Sequence, residues 1–190
     1  MNKITLFPLS IFLVFVLISC TSNRKEFVLE PGSFVQFGSH QWSKESFDCN
    51  RFKYSCAVVK LDYPKAIFGD EGVRSNINGK IQSYVETELA KALTGPHPSG
   101  ESVTELAESA LAGYDPYSEK SIAELSIFGQ LLFRNKNLIK LELSSFMKNN
   151  KGDVKSNRSL YTFDTQEGNI LSQTVLNNGV PKLAAISLNK

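Results

Sequence analysis

Between Glu71 and Leu93 apolar residues recur at steps of three and four, as Val73, Ile77, Ile81, Tyr84, Val85 and Leu89. The flanking segments alternate with a period of two, so a helical middle must lie between two groups of strands. Gly95-Pro96-His97-Pro98-Ser99-Gly100 stops the first helix, and Ser102-Val103-Thr104-Glu105 offers a capping box for a second that ends near Gly113. Before the helices, Phe34 to Phe37 and Phe52 to Tyr63 read as strands, the second ended by Pro64. After them, Ile122 to Phe133 and Leu138 to Met147 form one expected hairpin around Asn135-Lys136-Asn137. The polar stretch Lys148 to Asn157 connects it to a second, Leu160 to Asp164 with Ile170 to Leu176. Val180 to Leu188 fits either a helix or a strand. Strands, two helices, then strands again predict an α+β fold, a largely antiparallel sheet with two helices packed on one face. The domain spans 31–190, with its helical middle at 71–113 and C-terminal hairpins at 122–176.

The first residues carry an address. A basic start at Lys3 precedes an apolar run from Ile4 to Ile18, then Leu17-Ile18-Ser19-Cys20. That order is a secretion signal over 1–19. Small Ser19 directly before Cys20, with aliphatic Leu17 ahead of it, resembles the lipobox of bacterial lipoprotein signal peptides. The resemblance implies cleavage before Cys20, a diacylglyceryl thioether on its sulfur and acylation of its amine, palmitate-like chains that hold a protein on a membrane. An ordinary signal peptide or a transmembrane anchor is the alternative. Residues 20–30, small, polar and charged, then serve as the lipidated tether. Thr21 stands where a retention Asp would hold some lipoproteins at the inner membrane, which points to the outer membrane in a cell that has one.

Of three cysteines, removing Cys20 leaves the pair Cys49 and Cys56, separated by Asn50 to Ser55 in an exported, oxidising setting. A disulfide across a hairpin tip is expected, with a metal site or a free thiol as alternatives. Metal is disfavoured because His40 and His97 are the two histidines of the chain. Lys and Arg number 21 against 19 Asp and Glu, a formal charge of +2, which lacks the basic excess of a nucleic-acid partner.

Two groups of residues resemble a known module. Val59-Lys60-Leu61-Asp62-Tyr63-Pro64, followed by Asn78-Gly79-Lys80-Ile81, is similar to the strand, Tyr-Pro and Asn-x-x-Ile pattern of the PdaC/RsiV-like extracytoplasmic domain. Leu138 to Leu143, Tyr161-Thr162-Phe163-Asp164 and Gly168-Asn169-Ile170-Leu171 resemble its RsiV C-terminal-type companion. Where that family carries a Gly-Gly-Ala-His segment, this chain has Asn149-Asn150-Lys151-Gly152-Asp153. The resemblance implies an envelope sensor or accessory domain that meets peptidoglycan or a wall-lytic enzyme such as lysozyme, without catalysis of its own.

The residues themselves supply little chemistry. A metal-dependent deacetylase needs two histidines beside an Asp, and His40 and His97 fall in unrelated segments. No Gly-x-Ser-x-Gly elbow supports a serine hydrolase. A glycosidase needs two carboxylates, but Asp70 and Glu71 suit a helix start, Glu101, Glu105 and Glu108 a solvated helix face, and Asp164 a strand-ending turn. No catalytic residue, metal or cofactor is therefore expected. Exposed aromatics would mark a sugar binder, and Trp42, Tyr114 and Tyr117 are the candidates, with packing against the sheet or a helix end as the alternative for each. Recognition is expected from the loops Gly95 to Gly100, Tyr114 to Tyr117 and Lys148 to Asn157. An envelope hydrolase with a deep pocket, or an assembly lipoprotein with an exposed apolar patch, would be the other readings.

Overall fold

The computed structural model describes residues 35–46, 56–93, 102–177 and 180–183, with backbone alone for 177 and 180–183. Residues 1–34, Cys49, the loop Gly95 to Gly100 and residues 184–190 lie outside the described residues. The expectations of a signal, a lipid anchor and a tether fall there too.

Among the described residues seven strands form one sheet in chain order: β1 (Gln36–Glu45), β2 (Val58–Phe68), β3 (Ile122–Arg134), β4 (Leu138–Asn149), β5 (Val154–Asp164), β6 (Ile170–Asn177) and β7 (Val180–Leu183). Every neighbouring pair is antiparallel except β2 and β3. That parallel pair follows from the helices α1 (Glu71–Ala90) and α2 (Val103–Ala112) lying between its strands, because parallel neighbours need a long crossover. The predicted α+β class and sheet type hold.

Both helices start as their sequences predict. Asp70 Oδ1 accepts from the Val73 N–H at 3.1 Å, and Ser102 with Glu105 closes a reciprocal capping box. The hydrogen bonds from Ser102 hold the Glu105 carboxyl below its usual range. α1 buries Val73, Ile77, Ile81, Val85 and Leu89 against Leu61 of β2, Ile127 of β3 and Leu141 of β4. α2 packs beside α1 and over β1 and β2. The helices thus cover the β1 to β4 part of one sheet face; on β5 the same face is buried at Ser159, Tyr161 and Phe163 and opens to solvent at Lys155.

Three strand expectations are corrected. β1 runs through Gln36–Glu45 rather than Phe34 to Phe37, with His40, Trp42 and Lys44 paired to Tyr63, Leu61 and Val59 on the helix side. Pro64 does not end β2, which continues to Phe68. Its missing N–H is tolerated because β2 stops pairing with β3 at Asp62 opposite Phe128. The stretch Lys148 to Asn157 is mostly strand, with a turn centred on Gly152 at φ 92°, so β3 to β6 form a continuous meander rather than two separate hairpins. Val180–Leu183 is a strand, not a helix.

Candidate functional site

Where the helices stop covering the sheet, two clefts open along the outer flank of α1. One, of about 680 Å³, is lined by Lys91 at the C-cap of α1, Lys120, Ser145 and Met147 of β4, and Lys155 and Asn157 of β5, among others. The second, of about 420 Å³, runs between Lys80, Tyr84 and Lys91 of α1 and Ser159, Tyr161 and Gln173 of the sheet. They adjoin at Lys91 and Asn157.

A buried carboxylate stands at this junction. Glu88 is 3% exposed and accepts from the Ser145 hydroxyl at 2.7 Å and from the Asn157 amide at 3.1 and 3.3 Å, and the Lys91 ammonium is paired to it. Four donor contacts on one carboxylate satisfy its charge, and together they bind α1 to β4 and β5. Lys91, half-exposed, reaches from this cluster into both clefts. Tyr84 and Tyr161 line the second cleft with phenols that burial pushes up in pKa, and Gln173 donates to the Tyr161 hydroxyl at 3.2 Å. The first cleft carries three lysines, Lys91, Lys120 and Lys155, against Asp153. Its chemistry is that of a hydrogen-bonding, cationic trough suited to a polar anionic ligand.

The sequence-predicted residues distribute unevenly around it. Trp42 is half-buried and packs on the core. Tyr114 also packs against the core and donates to Asn150 Oδ1 at 2.8 Å, whereas Tyr117 is 95% exposed. Asn150 in turn donates to the carbonyls of Asp115 and Ser118 at 3.0 and 2.8 Å. Two of the three expected recognition loops are thereby tied together, and Asn149, Asp153, Lys155, Ser156 and Asn157 of one of them line the first cleft. The third, Gly95 to Gly100, lies outside the described residues, as do Cys20, His97 and Glu101. Cys56 is half-buried just before β2, and its expected partner Cys49 falls outside them.

The other candidates resolve into structure. His40 lies against Tyr63 with ring centroids 4.9 Å apart and the rings tilted by 30°. Glu108 pairs with Lys44 at 2.7 Å. Asp164 accepts from the N–H groups of Gln166, Glu167, Gly168 and Asn169, organising the turn it was expected to stabilise. Among the described residues no three His, Cys, Asp or Glu side chains gather as metal ligands, and no helix is long and apolar enough to cross a membrane.

Sequence reasoning missed the cleft residues Glu88, Lys91, Lys120 and Ser145. Glu88 had a signal: it continues the apolar stripe of α1 four residues after Tyr84 and three after Val85, where a carboxylate must be buried with partners. Lys120 and Ser145 carried none.

No family model matches the chain, and no curated protein does. Solved structures do. A DUF3298 family protein from Pseudomonas aeruginosa PAO1 superimposes with a TM-score of 0.55 at 15% identity, covering 74% of this chain and 56% of that one. A DUF3298 member from Bacteroides fragilis NCTC 9343 gives 0.56 at 11% identity, covering 75% and 61%. The chain spans less than two thirds of either neighbour. At such identities the likeness is one of fold: the α+β sheet with its two helices is the architecture seen in these DUF3298 proteins.

Proposed function

We propose that this chain is a noncatalytic, lipid-anchored recognition domain of the bacterial envelope that binds peptidoglycan through the cleft beside α1. The observation that carries the reading is the first cleft, where Lys91, Lys120 and Lys155 surround a floor of Ser145, Met147 and Asn157. Wall peptides present carboxylates, and wall glycans present hydroxyls and amides. Lysines at a rim with serine and asparagine inside match both. The same charge disfavours a cationic lytic enzyme such as lysozyme as the partner, since like charges would face each other. Glu88, the carboxylate buried where the two clefts adjoin, is fully engaged, which supports binding over hydrolysis.

The anchor rests on Ser19-Cys20 and its lipobox-like context, with residues 1–19 removed as a signal peptide. A Cys49–Cys56 bridge fits the oxidising compartment that such export implies. The PdaC/RsiV-like resemblance of Tyr63-Pro64 and Asn78 to Ile81 agrees with an extracytoplasmic domain whose DUF3298-like fold is in hand. Two acyl chains on Cys20 would keep the domain at the membrane, the outer one where the cell has it.

The test is co-sedimentation of the lipidated protein, held in detergent, with purified sacculi, and a parallel lysozyme-binding channel. Saturable binding to sacculi is expected. Binding to lysozyme with none to sacculi would reverse the choice of partner, and cleavage of the sacculi would overturn the noncatalytic reading.

A further inference from the structure

One end of the sheet carries apolar side chains that nothing among the described residues covers. Ile67 and Phe68 close β2 at 55% and 52% exposure, and Leu131, Leu132 and Phe133 near the end of β3 are 37%, 47% and 46% exposed. Three consecutive exposed apolar residues are unusual in a strand, where alternation normally buries every second one. A register shift between Leu131 and Phe133 moves Leu132 out of the ladder, so neither face of the sheet absorbs the run.

The chain enters the fold at this same end. Gln36, the first residue of β1, lies opposite Phe68, and Arg134 donates to the Val35 carbonyl at 2.9 Å. The segment between Cys20 and Val35 is short, at most ~50 Å even when fully extended. An anchor at Cys20 would therefore join the fold through this end of the sheet, while the cleft, lined by Ile122 and Asn149, lies at the opposite end of β3 and β4.

We infer that the Ile67–Phe68 and Leu131–Phe133 end docks on the lipid surface, the apolar side chains entering the headgroup boundary while the sheet stands above it. The inference rests on the lipid-anchored reading. Charges at this end are mixed, with Lys65, Arg74, Arg134 and Lys136 set against Asp70, Glu71 and Glu167. The contact is thus apolar and insensitive to anionic lipid. β1 climbs away from the surface from Gln36, placing Trp42 about 20 Å along the strand at ~3.3 Å per residue.

The experiment uses the lipidated protein in vesicles of zwitterionic phosphatidylcholine brominated on its acyl chains. Trp42 is the only tryptophan, so the wild type reports from above the surface and a Trp42→Phe, Phe133→Trp variant from the docking end. The variant should lose about half its emission while the wild type is unchanged, as expected for insertion to the headgroup boundary. Hydrogen exchange at Leu132 of the wild type, which stands outside the β3–β4 ladder, with and without vesicles, supplies a readout that needs no substitution, and slowing by the vesicles is expected. A protein that sediments with the vesicles yet shows neither quenching nor slowed exchange overturns the docking alone. A variant tryptophan that aqueous acrylamide cannot quench in the absence of vesicles means that another part of the chain covers the patch, and also overturns it. A protein that does not sediment overturns the anchored reading and the docking with it.

Discussion

Asn78 of α1 grips the main chain of Ala66 with both halves of its amide, accepting the Ala66 N–H at 2.8 Å and donating to the Ala66 carbonyl at 2.9 Å. It lies past the point where β3 stops pairing with β2, so a side chain replaces the lost strand neighbour. Asn78→Ala should cost about 2 kcal/mol, because it strands two backbone groups of a buried residue. Urea unfolding measures this. Asn78→Asp should cost at least as much, since its second oxygen would face the Ala66 carbonyl.

Glu88 gives a graded prediction. Removing its carboxylate in Glu88→Ala leaves the Ser145 hydroxyl and the Asn157 amide without their acceptor, a loss of about 2 to 3 kcal/mol. Glu88→Gln keeps an acceptor oxygen and should lose less. The partly exposed Lys91 partner adds under about 1 kcal/mol, so Lys91→Met should barely move the urea midpoint.

Gly168 sits at φ 73°, and a methyl group built on it would meet the Val73 carbonyl oxygen at 2.7 Å. The turn between β5 and β6 can lie against the start of α1 only because this position is glycine. Asn76 fastens the contact by donating to the Glu167 carbonyl at 2.7 Å. Gly168→Ala should therefore destabilise the fold by about 2 kcal/mol, read as a lowered thermal midpoint.

Alkaline stability follows from Tyr63. Burial, aided by the Glu86 charge, pushes its phenol up to about 12 from 10.0. The folded state then holds the proton more tightly than the unfolded chain. Stability on this account is full below about pH 10 and falls as pH rises through 12. Tyr63→Phe should flatten that decline in urea titrations at pH 9 to 12, and an equally steep decline would assign it to Tyr84 and Tyr161 instead.

Much of this architecture was legible because burial leaves a period. The stripe of Ile77, Ile81, Tyr84 and Leu89 and the box of Ser102 and Glu105 fixed both helices. The inward face of β4 is written in Ile139, Leu141 and Leu143, and that of β5 in Tyr161 and Phe163, each set spaced by two. β1 was hidden because it is an edge strand in which His40 and Lys44 flank Trp42 at the inward positions, so no apolar alternation shows. Lys155 to Asn157 looked like a loop because the first half of β5 is mostly exposed and meets α1 through polar contacts at Asn157, so nothing required apolar residues there. The exposure that hid this strand is also what opens the cleft. Lys120 and Ser145 come together only through the meander, a relation that no local pattern carries.

The most direct test of the cleft as a wall-binding site is a comparison of sacculus binding by the wild type and by Lys120→Glu/Lys155→Glu. Both lysines are exposed, so the fold should persist, as circular dichroism can verify. Reversing two of the three rim charges should weaken binding about tenfold or more, with the remaining affinity less sensitive to salt. Unchanged affinity in a folded double variant would contradict the assignment of the cleft beside α1 as the site that meets the wall.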